Sequence, residues 1–167
     1  MVTQPVDELP VDMTTKDELK ALLAKHPLPA NHASIQELCL SLSVDQYWAK
    51  IAGDDATCSP AEFYASRGDQ NFSITKWRPA ETPDEKEFKP EKGVKLSVKQ
   101  VRENKIEIQV KNNPFVKKVP STISWFLIEK SNTKIQIRTL TKNSDVPFCD
   151  SFMIEMETLV LGFDKPN

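Results

Sequence analysis

The sequence predicts an α+β fold: an antiparallel sheet of about six or seven strands, with two short helices placed after the first strand. Three observations carry this. Two stretches, beginning at Ser43 and Ser59, open with helix-capping signals, and after Ser43 apolar residues follow at helical spacing. From Asn71 onward the apolar residues recur with period two. The links between these alternating runs are hairpin-length, which makes consecutive strands antiparallel. At 167 residues the chain is sized for one domain.

Residues 1–32 read as an acidic, proline-containing tail, punctuated by Pro5, Pro10, Pro27 and Pro29 and carrying Asp7, Glu8, Asp12, Asp17 and Glu18. One short helix fits inside it. Thr15 with Glu18 forms a capping box, Leu19, Leu22 and Leu23 make an apolar stripe, and Pro27 stops the run. The folded domain is expected over 33–167. Leu38, Leu40 and Leu42 alternate with Cys39 and Ser41, predicting the first strand. Ser43 then caps a helix in which Val44, Tyr47, Trp48 and Ile51 fall at i, i+3, i+4 and i+7, and Gly53-Asp54-Asp55 ends it. Ser59, Pro60 and Glu62 start the second helix, and Gly68 closes it.

Phe72 and Ile74 open the strand region. Residues 80–92 are charged and proline-containing and read as an exposed loop. Val94, Leu96 and Val98 alternate in one run and Ile106, Ile108 and Val110 in the next, with Asn104 in the connection between them. Thr122 to Glu129 is more continuously apolar. Ile135 and Ile137 mark another strand, and Phe152, Ile154 and Met156 alternate with Glu155 and Glu157 in the last. Lys, Glu, Gln and Ser on alternate positions give the sheet a solvated face. The other face is a continuous apolar surface, and two short helices are too small to cover it. Either the sheet curls on itself, or a third helix, a partner or an apolar ligand completes the core.

Composition narrows the function. Twenty-two Lys and Arg against 24 Asp and Glu leave a net charge of −2, without the basic excess of a general nucleic-acid binder. The basic middle of the chain, with Phe115, Trp125 and Phe126 interleaved, fits a solvated strand face or a lipid headgroup surface better than nucleic acid. Twelve Pro and four Gly argue against a glycine-dependent phosphate loop. The three cysteines, Cys39, Cys58 and Cys149, do not form a disulfide framework and point to a reducing, intracellular setting. The only histidines, His26 and His32, lie in the tail, so no catalytic residues, metal ligands or cofactor are expected.

Three segments are more specific. They are Gly68-Asp69-Gln70-Asn71-Phe72-Ser73-Ile74-Thr75-Lys76-Trp77-Arg78-Pro79, Asn113-Pro114-Phe115-Val116-Lys117-Lys118, and Asp145-Val146-Pro147-Phe148-Cys149-Asp150-Ser151-Phe152-Met153-Ile154-Glu155. In this order, over residues from about 35 to 160, the chain resembles the VASt family of StART-like lipid-binding domains. VASt domains follow GRAM domains in the Aster and Lam sterol-transfer proteins. The resemblance implies a helix-grip fold: a curved antiparallel sheet around an apolar cavity that holds a sterol or similar lipid.

Two departures stand out. Cys149 occupies the place of the family's usual glycine, and after the last strand the sequence up to Asn167 does not hold the family's long C-terminal helix. The expectation is therefore a VASt-type domain lacking that helix. It would bind, and transfer between membranes, an apolar lipid, sterol first, without enzymatic activity. Candidate lipid-facing residues are Phe72, Ile74, Leu96, Val98, Ile108, Val110, Ile135, Ile137, Phe152 and Ile154, each of which core packing would also explain. Lys117 and Lys118 are candidates for an anionic membrane surface, placing the domain on the cytosolic side of membranes, at endoplasmic reticulum contact sites if the resemblance holds. The alternative is a structural or interaction subunit, with a protein partner covering the open face.

Overall fold

The computed structural model describes residues 13–27, 33–36, 38, 40–90, 94–110, 114–145, 147 and 153–162. The chain forms two compact units, residues 1–38 and 39–167. In the first, α1 (Met13–Lys25) is the helix expected there. Its last turn closes with the His26 amide on the Leu23 carbonyl at 3.0 Å, and Pro27, which has no amide hydrogen, follows.

The strand expected at 38–42 does not form: Leu38 and Leu40 are exposed, and Ser41 and Leu42 lie in a bend. Alternation alone does not make a strand; cross-strand pairs do, and no described strand pairs with this segment. Its Cys39 lies outside the described residues. The second unit then builds α2 (Val44–Tyr47) on a complete capping box, the Ser43 hydroxyl accepting from the Gln46 amide at 3.1 Å and the Gln46 side chain accepting from the Ser43 amide at 2.9 Å. α2 runs directly into a π-helical turn, Trp48–Ala52. Gly53 ends it, and a Cβ there would stand 2.9 Å from the Trp48 carbonyl oxygen. α3 (Pro60–Arg67) is capped by Ser59 and terminated by Gly68 at φ +81°, in the left-handed region.

The remaining elements are β1 (Gln70–Ile74), β2 (Arg78–Pro79), α4 (Pro83–Lys86), β3 (Glu87–Phe88), β4 (Leu96–Ser97), β5 (Gln100–Gln109), β6 (Lys118–Lys130), β7 (Lys134–Asn143) and β8 (Ile154–Leu161). A six-stranded antiparallel sheet has the order β1-β5-β6-β7-β8, with β2 also beside β5. The α+β class and the strand count therefore agree with the sequence reading. Two local expectations do not. Asn104 is not in a connection: it sits in the middle of β5, fully buried, because polar Arg102 and Asn104 occupy inward positions and interrupt the apolar alternation. Residues 80–92 are not simply an exposed loop either. Thr82 and Glu85 cap α4, and β3 pairs with β4, its Phe88 buried.

Directly opposed residues share a face of a sheet, so the register sorts the side chains. One face carries the rows Gln100–Leu127–Ile137–Thr158, Arg102–Trp125–Thr139–Met156 and Asn104–Ile123–Thr141–Ile154, with Ile74 opposite Asn104. α2 and the π-helical turn pack on one end of this face, where Val44, Ala52, Trp77, Leu127, Ile135 and Ile137 form a buried cluster flanked by Tyr47, Trp48, Trp125 and Val160. The opposite face carries Val101, Phe126 and Leu140 under Phe88 and Val98. There Arg138, buried beside Phe88, is held by Glu155 at 3.1 Å and Glu157 at 3.0 Å.

Candidate functional site

The helix-covered face is the candidate site, and its chemistry begins where the helices stop. The last carbonyl of the π-helical turn, that of Ala52, has no partner within its own helix. It accepts from two side chains, Trp77 Nε1 at 2.8 Å and Arg102 Nη1 at 3.2 Å. The Trp77 amide in turn donates to the Asp54 carboxylate at 2.8 Å. Across the guanidinium, Trp125 is fixed by Asn104, whose amide, oriented to satisfy both neighbours, accepts from Trp125 Nε1 at 3.0 Å and donates to the Glu103 carbonyl at 3.2 Å. Arg102 thus lies between two anchored indoles, its Cζ 4.7 Å from the Trp77 ring and 4.5 Å from the Trp125 ring. Burial pulls its pKa below the usual guanidinium value, against the pull of Asp54. Burial likewise raises the pKa of Tyr47, with Arg102 opposing.

Beyond this cluster the face stays buried at Asn104, Ile106 and Ser121 and becomes accessible along β8. Ile154 and Met156 on β8 are 46% and 43% exposed, and Met153 beside them is exposed too. The sequence candidates distribute unequally over this geometry. Ile74, Ile108, Ile135, Ile137 and Ile154 share the face by register, and Phe72 joins them against the Tyr64 ring. Ile135 and Ile137 lie under the helices, in the core cluster. Val110 follows the end of β5, half-buried, its amide bonded to the Lys117 carbonyl at 2.8 Å. Leu96 and Val98 are not brought to this face: they pack with Phe88 on the other side of the sheet. Phe152 and most of the segment from Val146 to Phe152 lie outside the described residues.

Lys117 and Lys118 are both exposed in the approach to β6, near Phe115, which is 93% exposed. Lys118 bonds Glu107 at 2.6 Å and holds that carboxyl below its usual range. Two open clefts, of about 470 and 350 Å³, lie around α4 and are lined largely by charged side chains; neither is walled by Ile123, Thr141, Ile154 or Met156. Among the described residues no helix is long and apolar enough to cross a membrane.

A family model, VAD1 Analog of StAR-related lipid transfer domain (VASt), matches residues 35–162. The chain belongs to the VASt family. No curated protein and no solved structure matches it. VASt domains are StART-like lipid-binding modules rather than enzymes. Arg102, Trp77 and Trp125, which give the helix-covered face its polar end, were missed in the sequence. The available signals were Trp77, near the end of the first of the three specific segments, and Trp125, one of the aromatic residues in the basic middle of the chain.

Proposed function

We propose that this VASt domain binds one apolar lipid, a sterol in the first instance, on the face shared by Ile74, Ile108, Ile154 and Met156, and carries it between membranes. The observation that carries the reading is the contrast along a single face: Ile135 and Ile137 are buried under the helices, while Ile154 and Met156 on the neighbouring strand are nearly half exposed. Covering such surface is favourable by ~25 cal/mol per Å². A sterol of roughly 28 heavy atoms at ~0.3 kcal/mol per atom would gain about 8 kcal/mol, a micromolar affinity suited to release as well as capture.

Membrane contact belongs to the same proposal. An exposed Phe115 beside Lys117 suits an anionic lipid surface, the ring entering the headgroup layer and the ammonium meeting phosphate. The working location is the cytosolic face of membranes, including contact sites of the endoplasmic reticulum.

The test is native mass spectrometry of the full chain purified from a sterol-containing host, with transfer of a fluorescent sterol between vesicles. An adduct of a few hundred daltons together with accelerated transfer supports the reading. A stable protein adduct with no lipid and no transfer replaces it with a subunit whose partner covers the same face.

A further inference from the structure

Arg102 is buried, 4% exposed, and hydrogen bonds and rings account for its guanidinium except at one edge. Its two faces are occupied by Trp77 and Trp125. Its Nη1 is used by the Ala52 carbonyl. Nε and Nη2 have no hydrogen-bond partner among the described residues. These two nitrogens are the ones whose N–H bonds point the same way, forming the side-on fork that accommodates two oxygens of one carboxylate or phosphate. The Asp54 carboxylate, which accepts from the Trp77 amide, opposes the cost of burying this charge only in part. Taking a cation out of water is costly, and a donor pair without a partner adds to the cost.

The position of the fork matters as much as its chemistry. Arg102 lies on the row Arg102–Trp125–Thr139–Met156. Both this row and the next, Asn104–Ile123–Thr141–Ile154, become accessible at their β8 ends, Met156 and Ile154. On Arg102's own row, two strands away, the buried Thr139 hydroxyl is also without a partner among the described residues. Two polar groups without a hydrogen-bond partner among the described residues, the Arg102 fork and the Thr139 hydroxyl, therefore share one row of this face. A purely apolar ligand would leave both unpaired.

We propose that Arg102 receives the head of the bound lipid, and that the domain prefers an amphiphile with an acidic head, carboxylate or phosphate, lying with its tail over Ile123, Ile154 and Met156. This rests on the lipid-binding reading above and narrows its ligand: a sterol hydroxyl offers one oxygen to a fork built for two. The Trp77–Arg102–Trp125 stack holds the guanidinium plane fixed, so the head meets a pre-set geometry rather than a mobile side chain.

The experiment titrates the full chain with lipids of one tail and different heads, oleic acid, 1-oleoyl lysophosphatidic acid, oleyl alcohol and methyl oleate, with cholesterol as the neutral sterol, following quenching of tryptophan fluorescence. On the unaltered protein at least one acidic head should bind about tenfold or more tightly than the alcohol or ester, the scale of a charged hydrogen bond. The comparison of oleate with lysophosphatidate distinguishes carboxylate from phosphate. Arg102→Met should erase the preference, lowering the acidic head's affinity about tenfold, to that of the alcohol. Arg102→Lys, which keeps charge but loses the fork, should reduce the preference and guards against a Met variant that fails to fold. Equal affinity for all four heads, or a preference that survives in folded Arg102→Met, overturns the proposal; cholesterol binding in that case leaves the lipid-binding reading standing. If neither cholesterol nor any oleoyl lipid binds, both fall.

Discussion

Trp77 donates its indole Nε1–H to the Ala52 carbonyl oxygen at 2.8 Å, tying the segment after β1 to the end of the π-helical turn across 25 residues of sequence. The same ring lies against Arg102. Trp77→Phe removes the bond and weakens the stack while keeping an aromatic ring. The expected loss is about 1–3 kcal/mol of unfolding free energy, measured by urea titration. A change below about 0.5 kcal/mol would mean that Arg102 alone satisfies the Ala52 oxygen.

The two faces of the sheet should separate stability from binding. Phe88 is 2% exposed and meets Phe126 on the side away from the helices. Phe88→Ala should cost about 3–5 kcal/mol and leave lipid affinity per folded molecule unchanged. Ile154→Ser should cost less than about 1 kcal/mol and lower lipid affinity. Paired denaturation and binding measurements check both, and the reverse pattern would place the lipid on the Phe88 side.

Acid sensitivity has one identifiable source at the start of α4. Glu85 binds the Arg78 guanidinium through both oxygens and accepts from the Glu81 and Thr82 amides, and the Arg78 bond above all lowers its pKa from 4.5 to about 2. A folded-state value below the unfolded one gives stability that is fully present above about 4.5 and is lost as pH falls toward 2. Unfolding midpoints of the unaltered protein and Glu85→Gln should differ by a constant amount above pH 4.5 and converge below it. A gap that persists at pH 2 would assign the difference to something other than titration of this carboxyl.

At the β5–β6 turn the two lysines should behave differently. Lys117→Glu should weaken binding to phosphatidylserine-containing vesicles by about fivefold or more, since each basic residue near such a surface contributes ~1 kcal/mol, and leave neutral vesicles unaffected. Lys118→Glu removes the partner of Glu107 as well, so it should also return the Glu107 pKa toward or above the ordinary carboxylate value. Vesicle flotation and NMR titration of the glutamates check these. Unchanged flotation for both variants would remove this turn from the membrane contact.

The helices were legible because their signals are local. Ser43 with Gln46 forms the full capping box, Ser59 caps α3 through the Glu62 amide without the return bond from the Glu62 side chain, and the Gly68 stop is used as read. The long strands were legible from period two. What failed depends on neighbours distant in sequence. Leu38, Leu40 and Leu42 alternate as a strand would, yet nothing described pairs with them. Thr82-Pro83-Asp84-Glu85 was a readable helix start lost among charges, and with it went the turn that buries Phe88. Leu96 and Val98 alternate correctly but belong to a chain segment folded over the far side, and alternation does not say which side. Arg102 was invisible as a site residue because its character comes from two tryptophans and a helix end, none of them near it in sequence.

β8 ends the strand order, and among the described residues it pairs only with β7. Its outer backbone amides and carbonyls are a template for another strand, flanked by Met156 and Ile154 with no lysine or proline between Ile154 and Leu161 to discourage it. Concentrated, lipid-free preparations should consequently dimerise along this margin, and cargo lying over the same residues should keep them monomeric. Loading state would then govern whether copies of the domain tolerate crowding.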